Sequence, residues 1–263
     1  MLVNLAFFDY RYRGLQVGGI EPTVAGLPII RTVNAGRART YGVDFDMSYR
    51  PPMVDGLSVN GSLNWNRARY QELNNIPCYT AQTAAQGCTQ FFVASANQTA
   101  PGPAGAVLAN GQYGFYTGQD LSGTPLIRAP EWAANFGFSY EMSVSKGLKL
   151  QLTNNNQYSS RFVTFLAAQR PGDDQYQRSF LKVDASIAIK DEKDRWEVAL
   201  IGKNITRRYT ASNCAAGNYA GGNIIGDPIT GGTTPGAAGV SSVGCFTDPG
   251  RAIFLRLMVK PFN

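Results

Sequence analysis

Four cysteines and not one histidine bound the chemistry open to this chain of 263 residues. Cys78 and Cys88 make one spaced pair, Cys214 and Cys245 a second, both in loop-like sequence. Neither pair has Cys-x-x-Cys spacing and no imidazole is present, so a zinc site is not expected. Two disulfides in an oxidising compartment are the economical reading. Three connectivities are possible; the local pairs are favoured because each would staple one loop. A Ser–His hydrolase lacks its base here. Asp44 and Asp46 could pair as acid and base, but a two-residue spacing is also what strand alternation generates. No cofactor is implied, and an enzyme is not expected.

The acidic and basic residues belong instead to a pattern of elements. A first strand over 2–17 leads to a turn region near 21–28. Along 38–50, Tyr41, Val43, Phe45, Met47 and Tyr49 alternate with Thr40, Gly42, Asp44, Asp46 and Ser48. Leu57, Val59, Gly61, Leu63 and Trp65 then oppose Ser58, Asn60, Ser62, Asn64 and Asn66. Trp132, Ala134, Phe136, Phe138 and Tyr140 oppose Ala133, Asn135, Gly137, Ser139 and Glu141. Leu148, Leu150 and Leu152 face away from Lys149, Gln151 and Thr153. Leu181, Val183, Ala185, Ile187 and Ile189 oppose Lys182, Asp184, Ser186, Ala188 and Lys190. Trp196, Val198 and Leu200 follow, and Ile253, Leu255, Leu257 and Val259 mark a closing strand. Period-two alternation of this kind predicts about eight half-buried strands, many longer than the usual five or six residues.

The connections sort into two kinds. Those at 51–56, 143–147 and 191–194 are short and carry turn residues. Those at about 73–127, 167–177 and 207–250 are long. Short turns on one side and long loops on the other are the asymmetry of a transmembrane β-barrel, with periplasmic turns and extracellular loops. The fold expected is all-β, an antiparallel transmembrane β-barrel portion. Charged residues are only 16% of the chain, low for a soluble protein, and no apolar run is long enough for a transmembrane helix. The net charge of +6 is spread through strands rather than gathered in a basic stripe, so nucleic acid is not an expected partner. The basic residues are expected to face a wet lumen or lipid head groups. No secretory signal pattern opens the sequence, which reads as part of something longer. A self-contained small outer-membrane barrel, structural or a minor pore, and a soluble secreted β-sandwich or adhesin are the alternatives.

Several segments carry a resemblance. NAGRARTYGVDFDMSYRP at 34–51, LSVNGSLNW at 57–65, RAPEWAANFGFSY at 128–140, GKNITRRY at 202–209 and GRAIFLRL at 250–257 occur in order along the chain. Together they resemble barrel strands of the TonB-dependent outer-membrane receptors. That resemblance implies a plugged barrel of about 22 strands, of which residues 1–263 would be the C-terminal segment without the plug. It implies uptake of a scarce nutrient such as an iron–siderophore complex, driven by TonB through an N-terminal plug. The implied partners are the lipid bilayer and lipopolysaccharide, the barrel-assembly machinery, TonB and a small nutrient ligand.

Candidate residues follow from these readings. Tyr49, Trp132, Tyr140 and Trp196 lie near strand ends, where a membrane girdle of aromatics would sit. Phe254 and Phe262 are candidates for the assembly signal, although Pro261 and Asn263 flank the latter. Tyr79, Phe91, Phe92, Tyr113, Phe115, Tyr116 and Tyr219 are loop aromatics that could contact a ligand.

Overall fold

A computed structural model describes the chain except residues 22–28, 75, 78–86, 88–89, 93–105, 108–112, 165–175, 218–224, 227–232, 235–241 and 261–263. Eight long strands dominate: β1 (Leu2–Glu21), β2 (Ile29–Tyr49), β3 (Leu57–Glu72), β4 (Trp132–Ser145), β5 (Leu148–Ser159), β6 (Phe180–Asp191), β7 (Trp196–Lys203) and β8 (Ala252–Val259). They form one antiparallel sheet in sequence order, each hydrogen-bonded to the next. Nearest-neighbour order needs no crossover. Each short connection therefore turns the chain back at one end, and each long one does so at the other.

The short turns are built locally. Gly56 has φ +77° and Gly147 φ +80°, a backbone that a side chain opposes. In the β6–β7 turn, the Asp191 carboxylate accepts from Lys193 N at 3.2 Å and Arg195 N at 3.4 Å, while the Arg195 guanidinium grips it at 2.8 and 3.0 Å.

Register puts the alternating residues where period two requires. Leu150 and Leu152 stand opposite Ile189 and Ile187, which stand opposite Val198 and Leu200, which stand opposite Leu257 and Leu255. This apolar face is the exposed one: Phe136 is 47% accessible, Ile187 46%, Leu200 50% and Leu255 76%. On the other face Ala188, Ala199 and Glu197 are buried. A soluble sheet buries its apolar side. Here the order is inverted.

The structure corrects several sequence boundaries. β1 continues to Glu21 and β2 begins at Ile29, because backbone pairing persists to Glu21↔Ile29 after the alternation fades. β5 runs on past Leu152 to Ser159, carrying Asn154 and Asn156 onto the apolar face beside Phe138 and Phe136. Those two amides bond one another, and also Asp184 O at 3.2 Å and Phe136 O at 3.0 Å, so their polar atoms are satisfied. The long connections also contain strands. Residues Ile76–Pro77, Gln90–Phe92, Ala106–Val107 and Tyr113–Gln119 build a small sheet within 73–127. Phe162–Val163 pairs with Tyr176–Gln177, so the second connection begins before 167. Ala211–Gly217 pairs with Ser242–Thr247, and Ile225–Gly226 with Thr233–Thr234.

The apolar core sits at the long-connection end. Ala38, Tyr70, Leu73, Ile76 and Leu121 cluster there, with Leu15, Val17 and Leu126 packed against them. The chain at 121–126 folds back on β3 through Tyr70 N to Thr124 O at 3.0 Å and Leu126 N to Ala68 O at 3.1 Å. At the sides of the sheet, β1 and β8 each pair with one neighbour only among the described residues.

The turn glycines give a graded prediction. A Cβ on Gly56 would lie 1.9 Å from Glu141 O, whereas one on Gly147 meets nothing within 4 Å. Gly147→Ala should cost about 1–2 kcal/mol for the left-handed backbone alone. Gly56→Ala should cost visibly more, read as a lower urea midpoint for the protein in detergent micelles.

Candidate functional site: the polar wall, its rim and the outer face

The polar face is cross-linked from strand to strand. Asp44 on β2 bonds Asn64 on β3. Asn135 on β4 donates to Ser62 on β3 at 3.4 Å, and Thr153 and Ser186 on β5 and β6 share a bond of 2.6 Å. Near the short-turn end, the Glu141 carboxylate takes Lys149 at 2.9 Å and Lys190 at 2.5 Å, joining β4, β5 and β6. Glu197 on β7 pairs with Arg256 on β8. The residues expected on this face lie there, engaged mainly with one another. That arrangement makes a firm polar wall rather than a reactive centre. Among the described residues no cluster of His, Cys, Asp and Glu could hold a metal ion.

At the long-connection end, Asn204 organises the rim. It sits at φ 48°. Its backbone N donates to Asp184 Oδ1 at 2.7 Å, and Lys203 Nζ reaches the other oxygen at 2.8 Å. Its side-chain amide donates to Arg208 O at 2.8 Å and Pro249 O at 3.2 Å, and accepts from Arg208 N at 2.9 Å. One side chain thus holds both the entry and the exit of the connection between β7 and β8. A second clamp lies beside it: Lys182 Nζ donates to Thr210 Oγ1 and Asp248 Oδ2, both at 2.6 Å. The hydrogen bond from Lys182, and that from Thr210, hold the Asp248 carboxyl below its ordinary value. Further along, Cys214 and Cys245 are disulfide-bonded across paired strands. Cys78 and Cys88 lie outside the described residues.

On the apolar face, aromatics gather at two heights. Tyr49, Tyr140 and Trp196 lie toward the short-turn ends of β2, β4 and β7. Toward the other end Trp132 meets Trp65 at 6.3 Å between ring centroids, and Trp65 meets Tyr41 edge-on at 6.0 Å. Period-two alternation placed Trp65 and Tyr41 on this face, but only the register shows that Trp65 stands opposite Trp132, with Tyr41 one row nearer the long-connection end. Phe254 lies opposite Ile201, on the polar side of β8, and Phe262 lies outside the described residues. Among the loop aromatics, Phe91 pairs with Tyr116 and Phe92 with Phe115 across adjacent strands, and Tyr113 pairs with Val107. Tyr79 and Tyr219 lie outside the described residues.

This geometry can be set beside known proteins. A profile of the family described as TonB dependent receptor-like, beta-barrel, matches residues 1–205. The chain belongs to that family. TonB-dependent receptor barrels are non-enzymatic transporters of the bacterial outer membrane. Among solved structures, the ferric yersiniabactin uptake receptor FyuA from Yersinia pestis aligns with a TM-score of 0.57 at 12% identity, over 99% of this chain and 27% of that one. The siderophore receptor PiuA from Acinetobacter baumannii aligns at 0.49 and 14% identity, over 97% of this chain and 26% of that one. A mutant of the ferric enterobactin receptor PfeA from Pseudomonas aeruginosa aligns at 0.45 and 14% identity, over 97% of this chain and 28% of that one. The likeness to FyuA shows the fold, over little more than a quarter of that receptor's length. No curated protein matches the chain.

The rim clamp has a definite pH dependence. Because the folded-state pKa of Asp248 is depressed, its contribution is present above the unfolded value, about 3.9. It is lost as pH falls through the lower folded value. The amide of Asp248, bonded to Thr210 O at 2.9 Å, should stay protected from hydrogen exchange at pH 5 and lose protection only below about pH 4. In Asp248→Asn that protection should already be reduced at neutral pH and should not vary with acid.

Proposed function

We propose that this TonB-dependent receptor chain is the C-terminal sector of an outer-membrane barrel that imports a scarce nutrient, such as an iron–siderophore complex. The short turns lie in the periplasm, and the connections at about 73–127, 167–177 and 207–250 face the outside. The observation that carries the reading is the arrangement of the sheet: large apolar residues such as Phe136, Ile187, Leu200 and Leu255 are accessible on one face, and the other face is a bonded polar wall. Hydrocarbon suits the first, and a plugged aqueous lumen suits the second. The unpaired sides of β1 and β8 support a sector that is completed by further strands, since a hydrocarbon environment tolerates no open sheet edge. Tyr49, Tyr140 and Trp196 supply the periplasmic girdle. Trp132, with Tyr41 and Trp65, supplies the outer one.

In this reading the polar wall contacts a plug that couples to TonB. The paired aromatics of the first long connection, Phe91, Phe92, Phe115 and Tyr116, are the ligand-contact candidates of this sector. Iron–siderophore complexes are the favoured cargo because aromatic and catechol-type groups stack on aromatic side chains. The last strand, with Phe254 within it and Phe262 beyond it in sequence, is offered to the assembly machinery.

The test is uptake. Cells carrying this chain alone should show no TonB-dependent accumulation of radiolabelled ferric siderophore. Cells carrying it in frame behind the plug and remaining strands of a receptor should accumulate it. A monodisperse folded protein in buffer without detergent would overturn the membrane reading altogether.

A further inference from the structure

On β1 the polar side of the sheet carries aromatic rings. The register sets Phe8, Tyr10 and Tyr12 opposite Gly42, Thr40 and Ala38, on the same side as Asp44 and Asp46. The three rings form a ladder along the strand. Phe8 and Tyr10 lie 5.7 Å apart between centroids with 27° between their planes. Tyr10 and Tyr12 lie 6.4 Å apart at 38°. Such shallow angles make a flat strip, not the cage of rings that encloses a cation. Core packing does not account for the strip, since Tyr10 is 56% accessible and Tyr12 44%. Its lower end rests against β2, where a Cβ on Gly42 would come within 2.7 Å of Phe8 Cζ.

The surface around the strip is polar and almost without charge. Over 2–12, 38–48 and 58–70, this face carries two carboxylates, Asp44 and Asp46, and neither lysine nor arginine. Asp44 is bonded to Asn64. Asp46 makes no ion pair among the described residues. At the foot of the ladder it borders a recess of about 270 Å³ with Leu2, Asn4, Ser48, Asn60 and Ser62. In the row of Phe8, Gly42 is followed by Asn66, whose buried Oδ1 has no hydrogen-bond partner among the described residues.

These features select a ligand chemistry. An anion would meet only carboxylates here, and a hydrocarbon would leave the amides unpaired. A sugar ring satisfies both surfaces. Its C–H hydrogens suit the electron-rich faces of the aromatic strip, and its hydroxyls both donate to and accept from amide and hydroxyl side chains.

We propose that the inner face of β1–β3 is a stacking track for a neutral oligosaccharide, with Phe8, Tyr10 and Tyr12 beneath successive sugar rings. Asn4, Asp46, Asn60 and Asn66 bond its hydroxyls. The proposal rests on the reading that the polar face lines the conduit, and it adds an uncharged saccharide to what that conduit accepts.

The full chain, in zwitterionic micelles without sugar head groups, should bind an α-1,4-linked glucose trisaccharide about tenfold tighter than glucose. Saturating the aromatic protons should transfer magnetisation to the sugar's C–H hydrogens. Y10A/Y12A should remove the advantage of the longer sugar. Y10F/Y12F should keep most of it, and R11Q/R13Q, on the other face of the strand, all of it. A sulfated trisaccharide should bind more weakly. Equal binding of glucose and trisaccharide by the unaltered chain would overturn the proposal, and needs no variant to fold. So would an acyclic hexitol that competes as well as the trisaccharide. Binding lost once the chain is joined in frame to a receptor's plug and remaining strands would give the strip to the plug, and would overturn it too. A chain that folds without detergent would instead defeat the outer-membrane reading. Folding in micelles with no gain from one sugar ring to three defeats this inference alone.

Discussion

Every other feature of this molecule depends on the continuous antiparallel hydrogen-bond ladder. In hydrocarbon no water is present to satisfy a backbone N–H or C=O, so each must find its partner on a neighbouring strand. That requirement accounts for strands that continue where side-chain alternation has lapsed, as β5 does through Asn154 and Asn156. It also accounts for those amides turning onto each other and onto main-chain oxygens rather than pointing outward. With the backbone settled, the pleat sends alternate side chains to opposite environments, and the two faces become chemically distinct surfaces.

The polar surface then has to be stable without an apolar core behind it. It achieves this by cross-strand pairing: Glu141 with two lysines, Asp184 with Lys203, Glu197 with Arg256. Individual exposed ion pairs contribute little, but here they recur on adjacent strands and fix the wall's side-chain positions. Tight hydrophobic packing is concentrated at the long-connection end, around Tyr70, Leu73 and Ile76, where the chain leaves the ladder and needs another reason to stay folded.

Much of this was legible in the sequence because a period of two is a local signal. Tyr41 through Tyr49, or Leu181 through Ile189, reveal their faces within a single segment. The long connections were less legible, since pairs such as Phe91 with Tyr116 are separated by residues that carry no alternation. The row of arginines that the register assembles across β1, β2 and β3 was not legible at all. Arg11, Arg39 and Arg69 belong to three segments, and each alone looks like an isolated charge at the end of an amphipathic run; only the register makes them neighbours. Asn204 was visible within a recognisable motif, but its grip on Pro249 spans 45 residues of chain.

That grip has an evolutionary consequence. Because Asn204 ties Arg208 to Pro249, the two ends of the last connection are set at a fixed separation whatever lies between them. The entropy of closing a loop grows only slowly with its length, so additions between those anchors weigh little on the barrel. The connection is in effect an exchangeable cassette. Its interior can change in length and sequence while its footing stays the same.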